Sequence, residues 1–223
     1  MHELDLFPGE SAPLPLPSGL RRLAGFALPG QEALLAAIAG VLNAAPFRHM
    51  STPGGRPMSV AMTNCGALGW ISDRLGYRYA AHDPQSGQSW PPLPAVIREL
   101  AVAAAEQAGY AAFDPDVCLI NRYAPGARMS LHQDRDERDL QAPIVSISLG
   151  LPAVFLFGGL QRRERPVRIP LRHGDVLVWG GPVRLAYHGV APVQDGQHPR
   201  LGRERINLTL RRARESAPKL NGS

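Results

Sequence analysis

Arg205-Ile-Asn-Leu-Thr-Leu-Arg211, RINLTLR, alternates polar and apolar side chains without a break. In an extended chain successive side chains point to opposite faces. Arg205, Asn207, Thr209 and Arg211 therefore share one side, and Ile206, Leu208 and Leu210 the other. Two readings follow. A sheet with one wet face leaves the polar groups in solvent. A jelly roll turns them inward onto a cavity, where buried guanidinium groups require an anionic partner. In the second case this strand is one wall of a receptor for a small dianion.

Working upstream, VCLINRY (117–123), IVSISLG (144–150), AVFLF (153–157), VRIPL (167–171) and DVLVWG (175–180) read as further short strands. Pro125-Gly126, Gly158-Gly159, His173-Gly174-Asp175 and Gly180-Gly181-Pro182 separate them with turn residues. Asn121 and Tyr123 share one face of VCLINRY and are candidates for the same polar wall. Before the strands, Leu34, Leu35, Ile38, Val41 and Leu42 fall at helical spacing between Pro29 and Pro46. A second helix is predicted over about 94–108, with Val96, Ile97, Leu100 and Ala104 on one face and Gly109 as its stop. The expected fold class is mainly β with flanking helices, a sandwich or jelly roll with the helices packed outside.

Between the helices, residues 47–93 are rich in Gly, Pro, Ser and Asn, yet carry Met50, Met58, Met62, Trp70, Tyr77, Tyr79 and Trp90. Long connections in compact domains are functional or disordered. Aromatic and methionine side chains need something to pack on, so short strands and ordered loops covering a site are expected. The organisation read from the chain is an irregular arm (1–19), one domain (20–213) and a tail (214–223).

The 223 residues are 44% hydrophobic, ample for a buried core. No apolar run approaches the roughly 20 residues that cross a bilayer, and the acidic, proline-rich start lacks the pattern of a secretory signal. Cys65 and Cys118 are too few for a disulfide framework or a cysteine-built zinc site. A cytoplasmic monomer without membrane association is the expectation. Lys and Arg total 24 against 19 Asp and Glu, a net charge of +5. Most of that charge is arginine, whose fork suits phosphate and carboxylate, so an anionic partner is indicated.

In LHQDRDE (131–137), His132, Asp134 and Asp136 project together if the chain is extended. H-x-D plus a distant histidine supplies the two-histidine, one-carboxylate face that holds ferrous iron with open positions. His188, in RLAYHGV, is the candidate third ligand. His173-Gly174-Asp175 is a rival H-x-D, but it falls on a glycine turn where aspartate commonly serves the turn itself. Solvated charge is the competing reading for 131–137, and core packing is the competing reading for Trp70 and Met62.

Together with TPGG (52–55), MSVAMTNCGALGW (58–70), CLINRYAPGA (118–127), PIVSISLGLPAVFLFGGL (143–160) and HGDVLVWGG (173–181), these segments resemble the AlkB-type iron(II)/2-oxoglutarate-dependent dioxygenases. The resemblance runs from about Leu4 to Arg212. It implies a double-stranded β-helix, with Fe(II) held by His132, Asp134 and His188 and the 173–175 turn purely structural. It implies that 2-oxoglutarate is held by Asn121, Tyr123, Arg205, Asn207 and Arg211, Arg205 pairing with the distal carboxylate and Arg211 lying near the metal-chelating end. O2 is the other cosubstrate.

By the same resemblance, 47–93 is a nucleotide-recognition lid in which Trp70, Tyr77, Arg78 and Tyr79 contact substrate and Met62 walls the pocket. Arg162 is a further substrate contact, and Asp136 attracts the charge of a cationic base. The implied activity is oxidative demethylation of 1-methyladenine and 3-methylcytosine in single-stranded DNA, with double-stranded DNA and RNA as further candidates. Its products are formaldehyde, succinate and CO2. Arg56, where near relatives in the family carry an aromatic residue, is a departure and a candidate phosphate contact, with Arg128, Arg135 and Arg162. Two other readings compete: the same iron chemistry on a protein or small molecule, and a basic nucleic-acid-binding jelly roll without catalysis.

Overall fold

In this computed structural model, residues 15–214 are described; the rest of the arm and tail lies outside them. In chain order the elements are β1 (Leu20–Leu23), α1 (Gln31–Ala44), β2 (Arg48–Ser51), β3 (Pro57–Gly66), β4 (Gly69–Asp73), β5 (Gly76–Ala80) and α2 (Ala95–Gln107). There follow β6 (Val117–Tyr123), β7 (Met129–His132), β8 (Ile144–Gly150), β9 (Ala153–Phe157), β10 (Val167–Leu171), β11 (Val176–Trp179), β12 (His188–Val190) and β13 (Arg205–Arg211).

Seven strands form the larger sheet in the order β1-β11-β8-β13-β6-β3-β2, and four form the smaller, β10-β9-β12-β7. β4 and β5 stand apart as a two-stranded ribbon. The stretch between the helices therefore divides, with β2 and β3 extending the larger sheet and the ribbon packed against it through Ile71.

β13, the RINLTLR strand, lies between β8 and β6, and the helices on one side and the smaller sheet on the other leave neither of its faces wet. Ile206, Leu208 and Leu210 pack with Cys118, Ile120, Val145 and Ile147 beneath Leu34 and Ile38 of α1 and Ile97 and Ala101 of α2. On the opposite face Leu119, Tyr123 and Trp179 meet Phe155, Phe157, Ile169 and Val190 of the smaller sheet. Arg205 is 1% exposed and Asn207 6%, so the solvated-face reading fails. The outcome is the mainly β jelly roll with helices packed outside.

α1 and α2 begin where Pro29 and Pro94 led the sequence to expect, and Gly109, at φ +90°, ends the turn after α2. Pro170 is tolerated in β10 because that strand is an edge, where a missing N–H interrupts no interior ladder. β1, β7 and β12 have three or four residues each, too few to show a pattern.

Candidate active site

His132 and His188 are opposed across the β7–β12 pair, with ring centres 4.4 Å apart. Each ring donates from Nδ1 to the carbonyl two residues before it, His132 to Ser130 (2.9 Å) and His188 to Ala186 (3.0 Å). A carbonyl only accepts, so Nδ1 carries a proton, and the neutral ring then offers its Nε2 lone pair to a ligand. β7 ends at His132. Gln133 then donates from Nε2 to the Leu185 carbonyl (2.6 Å), and the chain past it is not a strand. Asp134 nevertheless returns to the pair, its Oδ1 at 3.6 Å from His132 Nε2 and its Oδ2 at 3.7 Å from His188 Nε2. The three ligand atoms lie within 4.8 Å of one another.

Burial opposes the charge on Asp134, but Arg211 first, then the two imidazoles and Arg184, hold its carboxyl well below the usual range. Burial, reinforced by His132, pushes His188 down to about 4, so its imidazole is neutral at ordinary pH. An ionised Asp134 carboxylate and a neutral His188 imidazole are protonation states a metal requires.

The wall beside this cluster is the inward face of β6 and β13. Tyr123 opposes Arg205, and Asn121 opposes Asn207. Arg205 lies over the Tyr123 ring at 4.9 Å and donates from Nη2 to Ser148 Oγ (3.0 Å). Its Nε and Nη1 are buried without a partner among the described residues, as are Arg211 Nη1 and Asn121 Oδ1. Asn207 is anchored by donating to Ser146 Oγ (2.8 Å) and the Ile147 carbonyl (3.0 Å). Burial lowers the Arg205 pKa and raises that of the Tyr123 phenol. A buried guanidinium with two unmatched nitrogens calls for an oxyanion guest such as a carboxylate.

Residues 19–211 match the family described as the 2OG-Fe(II) oxygenase superfamily. The chain belongs to that superfamily. The alpha-ketoglutarate-dependent dioxygenase AlkB of Salmonella typhimurium is 57% identical over 214 residues, 95% of this chain and 99% of that protein. A mouse protein, nucleic acid dioxygenase ALKBH1, is 33% identical over 58% of this chain and 34% of its own. The solved structure of OsALKBH1 superposes with a TM-score of 0.75 at 28% identity, over 89% of this chain and all of that one.

As an AlkB-type 2OG-Fe(II) oxygenase the chain uses Fe(II) with 2-oxoglutarate and O2 as cosubstrates. His132, Asp134 and His188 fit the metal by donor type and mutual distance.

Two residues that the sequence reading missed brace the ligand triad, through the Asp134 carbonyl and through Arg211. Glu137, in a loop that reads as solvated charge, is only 6% exposed. Arg184 is equally buried and donates to Glu137 Oε2 (3.1 Å), the Asp134 carbonyl (2.8 Å) and the Ala142 carbonyl (2.9 Å). Its only sequence signal is one arginine among apolar residues four positions before His188.

Around the ribbon, Trp70 opposes Tyr79, and its indole stacks with Tyr77 at 5.6 Å and 14°. Trp70 Nε1 donates to Asp136 Oδ2 (3.0 Å), and the Tyr79 hydroxyl to Glu137 Oε1 (2.6 Å). Arg78 takes the other face of β5 and grips Asp73 at 2.8 and 2.7 Å. Met62 is fully buried opposite Asn121. Arg162 is exposed, its guanidinium 5.9 Å from the Tyr187 ring centre. Arg56 is exposed on the turn after Thr52. In the rival H-x-D, Asp175 is consumed by Arg22, Gly25 N–H and Arg172 N–H, so it serves its turn.

Proposed function

We propose that this oxygenase removes N-methyl groups from cationic bases, 1-methyladenine and 3-methylcytosine, in single-stranded DNA, with double-stranded DNA and RNA as further substrates. The observation that carries the reading is the Trp70–Asp136 contact. It sets an aromatic face beside a carboxylate two residues from a metal ligand. Asp136 is exposed and makes no ion pair among the described residues, so its charge is available to a cation. N-methylation at the pairing edge makes adenine and cytosine cationic, which a neighbouring carboxylate distinguishes from the neutral base. Support also comes from the mouse relative's name, nucleic acid dioxygenase.

His132, Asp134 and His188 would hold iron. With 2-oxoglutarate and O2, bound iron supplies a two-electron oxidant for a C–H bond, the cosubstrate leaving as succinate and CO2 and the methyl carbon as formaldehyde. Arg205, Tyr123, Asn121 and Asn207 would bind and orient 2-oxoglutarate, with Arg211 at the metal end. Trp70, Tyr77 and Tyr79 would stack on the base, which must leave the duplex for its methyl group to be reached. Met62 walls the pocket. Arg162, Arg56, Arg128 and Arg135, all exposed, would meet the phosphate backbone, so binding should weaken as salt rises.

The test is a substrate panel scored by formaldehyde release. It comprises single-stranded oligonucleotides with 1-methyladenine or 3-methylcytosine, their duplexes, methylated RNA and a methyl-lysine peptide. Release from the nucleic acids and not the peptide is expected. Release from the peptide alone would transfer the chemistry to a protein substrate and defeat the proposal.

A further inference from the structure

Trp70 is fixed at three points by different parts of the fold. Asn64, on β3 and 1% exposed, donates from Nδ2 to the Trp70 carbonyl and accepts from the Trp70 N–H, both at 3.0 Å. The amide thus grips the backbone of the ribbon from the larger sheet. The indole N–H then donates to Asp136 Oδ2 at 3.0 Å, while Tyr77 covers one face of the ring. A carboxylate on an exposed loop samples several rotamers; one that accepts from a clamped indole is held in one of them. No cation shares Asp136 among the described residues, so this N–H is the group that orients it.

We propose that Trp70, clamped by Asn64, aims the Asp136 carboxylate and is thereby a positioning residue for charge selection, in addition to serving as a stacking surface. This rests on the reading that the site takes alkylated bases and deepens it. Stacking on an indole also favours a cation, because the ring's quadrupole attracts positive charge. Aiming a carboxylate favours the cationic adduct only through Asp136, so that effect of Trp70 vanishes once Asp136 has lost its charge, whereas a stacking effect persists. The two roles therefore separate in the double variant, where additive losses would mark stacking and overturn the positioning role.

The experiment measures binding by fluorescence anisotropy to the iron(II) and 2-oxoglutarate-loaded protein without O2, so that nothing turns over. Labelled single-stranded oligonucleotides carry 1-methyladenine, a neutral ethenoadenine or plain adenine. Trp70→Phe keeps a ring and loses the N–H; Asp136→Asn keeps the shape and loses the charge. The cation-to-neutral affinity ratio is expected to fall on the order of tenfold in Trp70→Phe. Asp136→Asn should lower it similarly, and the double variant should lower it no further than Asp136→Asn does. Equal losses on cationic and neutral adducts in Trp70→Phe, with wild-type selectivity intact, would overturn this inference alone. A wild type that binds 1-methyladenine no better than adenine would overturn the repair reading together with it. Asn64→Ala keeps the indole, so its fall in the same ratio, with faster tryptophan depolarisation, is the expected companion result; an unchanged ratio would remove the clamp from the account.

Discussion

Arg211 and Asp134 meet through one oxygen: Nε and Nη2 of the guanidinium reach Oδ2 of the carboxylate at 2.7 and 2.6 Å. The same oxygen stands 3.7 Å from His188 Nε2. A metal ligand is thus oriented by a buried fork whose other neighbour is Glu137, at 3.4 Å from Nε. Arg211→Lys keeps the charge but replaces the fork with a point donor. We expect iron(II) affinity to fall by about tenfold to a hundredfold, as is usual when a group behind a metal ligand is lost. Anaerobic titration with the metal measures it; an unchanged affinity would mean that Asp134 is oriented without Arg211.

Arg205 carries two buried guanidinium nitrogens with no partner among the described residues, so Arg205→Met should act differently with and without cosubstrate. Replacing an uncompensated buried cation with an apolar side chain of similar length is neutral or stabilising. The variant without 2-oxoglutarate should unfold at the wild-type temperature or above it. Addition of 2-oxoglutarate should raise the wild-type midpoint and leave the variant's unmoved, since only a ligand that binds the native state shifts it. Thermal scans with and without 2-oxoglutarate show both effects.

The Tyr79 hydroxyl joins the ribbon to the metal side of the molecule through Glu137 (2.6 Å). Tyr79→Phe leaves the ring and removes a hydrogen bond to a carboxylate, a loss of about 1–2 kcal/mol. Glu137 stays held by Arg184, so the damage should be local to the ribbon. Hydrogen exchange is expected to speed up across residues 69–80 and not across β13. Uniform acceleration throughout the protein would contradict a local role.

Gly69 begins the ribbon against Trp90, whose Nε1 donates to the carbonyl of Ala80, the residue paired directly across from Gly69 (3.0 Å). A Cβ at position 69 would come within 2.3 Å of the Trp90 ring. Gly69→Ala must therefore displace the indole and lose its bond to Ala80. Overpacking of this kind costs about 1–3 kcal/mol. Denaturant unfolding checks the figure; a loss below a few tenths would show that the ribbon's root is slack.

How much of this was legible in the sequence depended on the range of the interactions. The strand limits of β6, β8, β9, β10 and β13 followed from local alternation and turn residues. The alternation in RINLTLR showed which side chains share a face, but not whether that face is wet. The smaller sheet packed over it decides that, and its strands come from other parts of the sequence. β12, the strand of His188, has three residues, and its partner His132 lies far upstream, so only the donor types marked the pair. Glu137 and Arg184 escaped because a charge is recognised as buried only when its partner is known. Arg78 sits between Tyr77 and Tyr79, and strand alternation alone turns it away from them toward Asp73.

The most direct test of the central claim is mass spectrometry of a single-stranded DNA oligonucleotide bearing one 1-methyladenine, with succinate counted in the same reaction. Iron(II), 2-oxoglutarate, ascorbate and air are supplied, and Asp134→Ala is the control. The account predicts loss of the methyl group with at least one succinate for each methyl lost in the wild type, and neither product above background in the variant. Succinate without methyl loss would contradict the assigned substrate, and methyl loss unimpaired in Asp134→Ala would contradict the metal site itself.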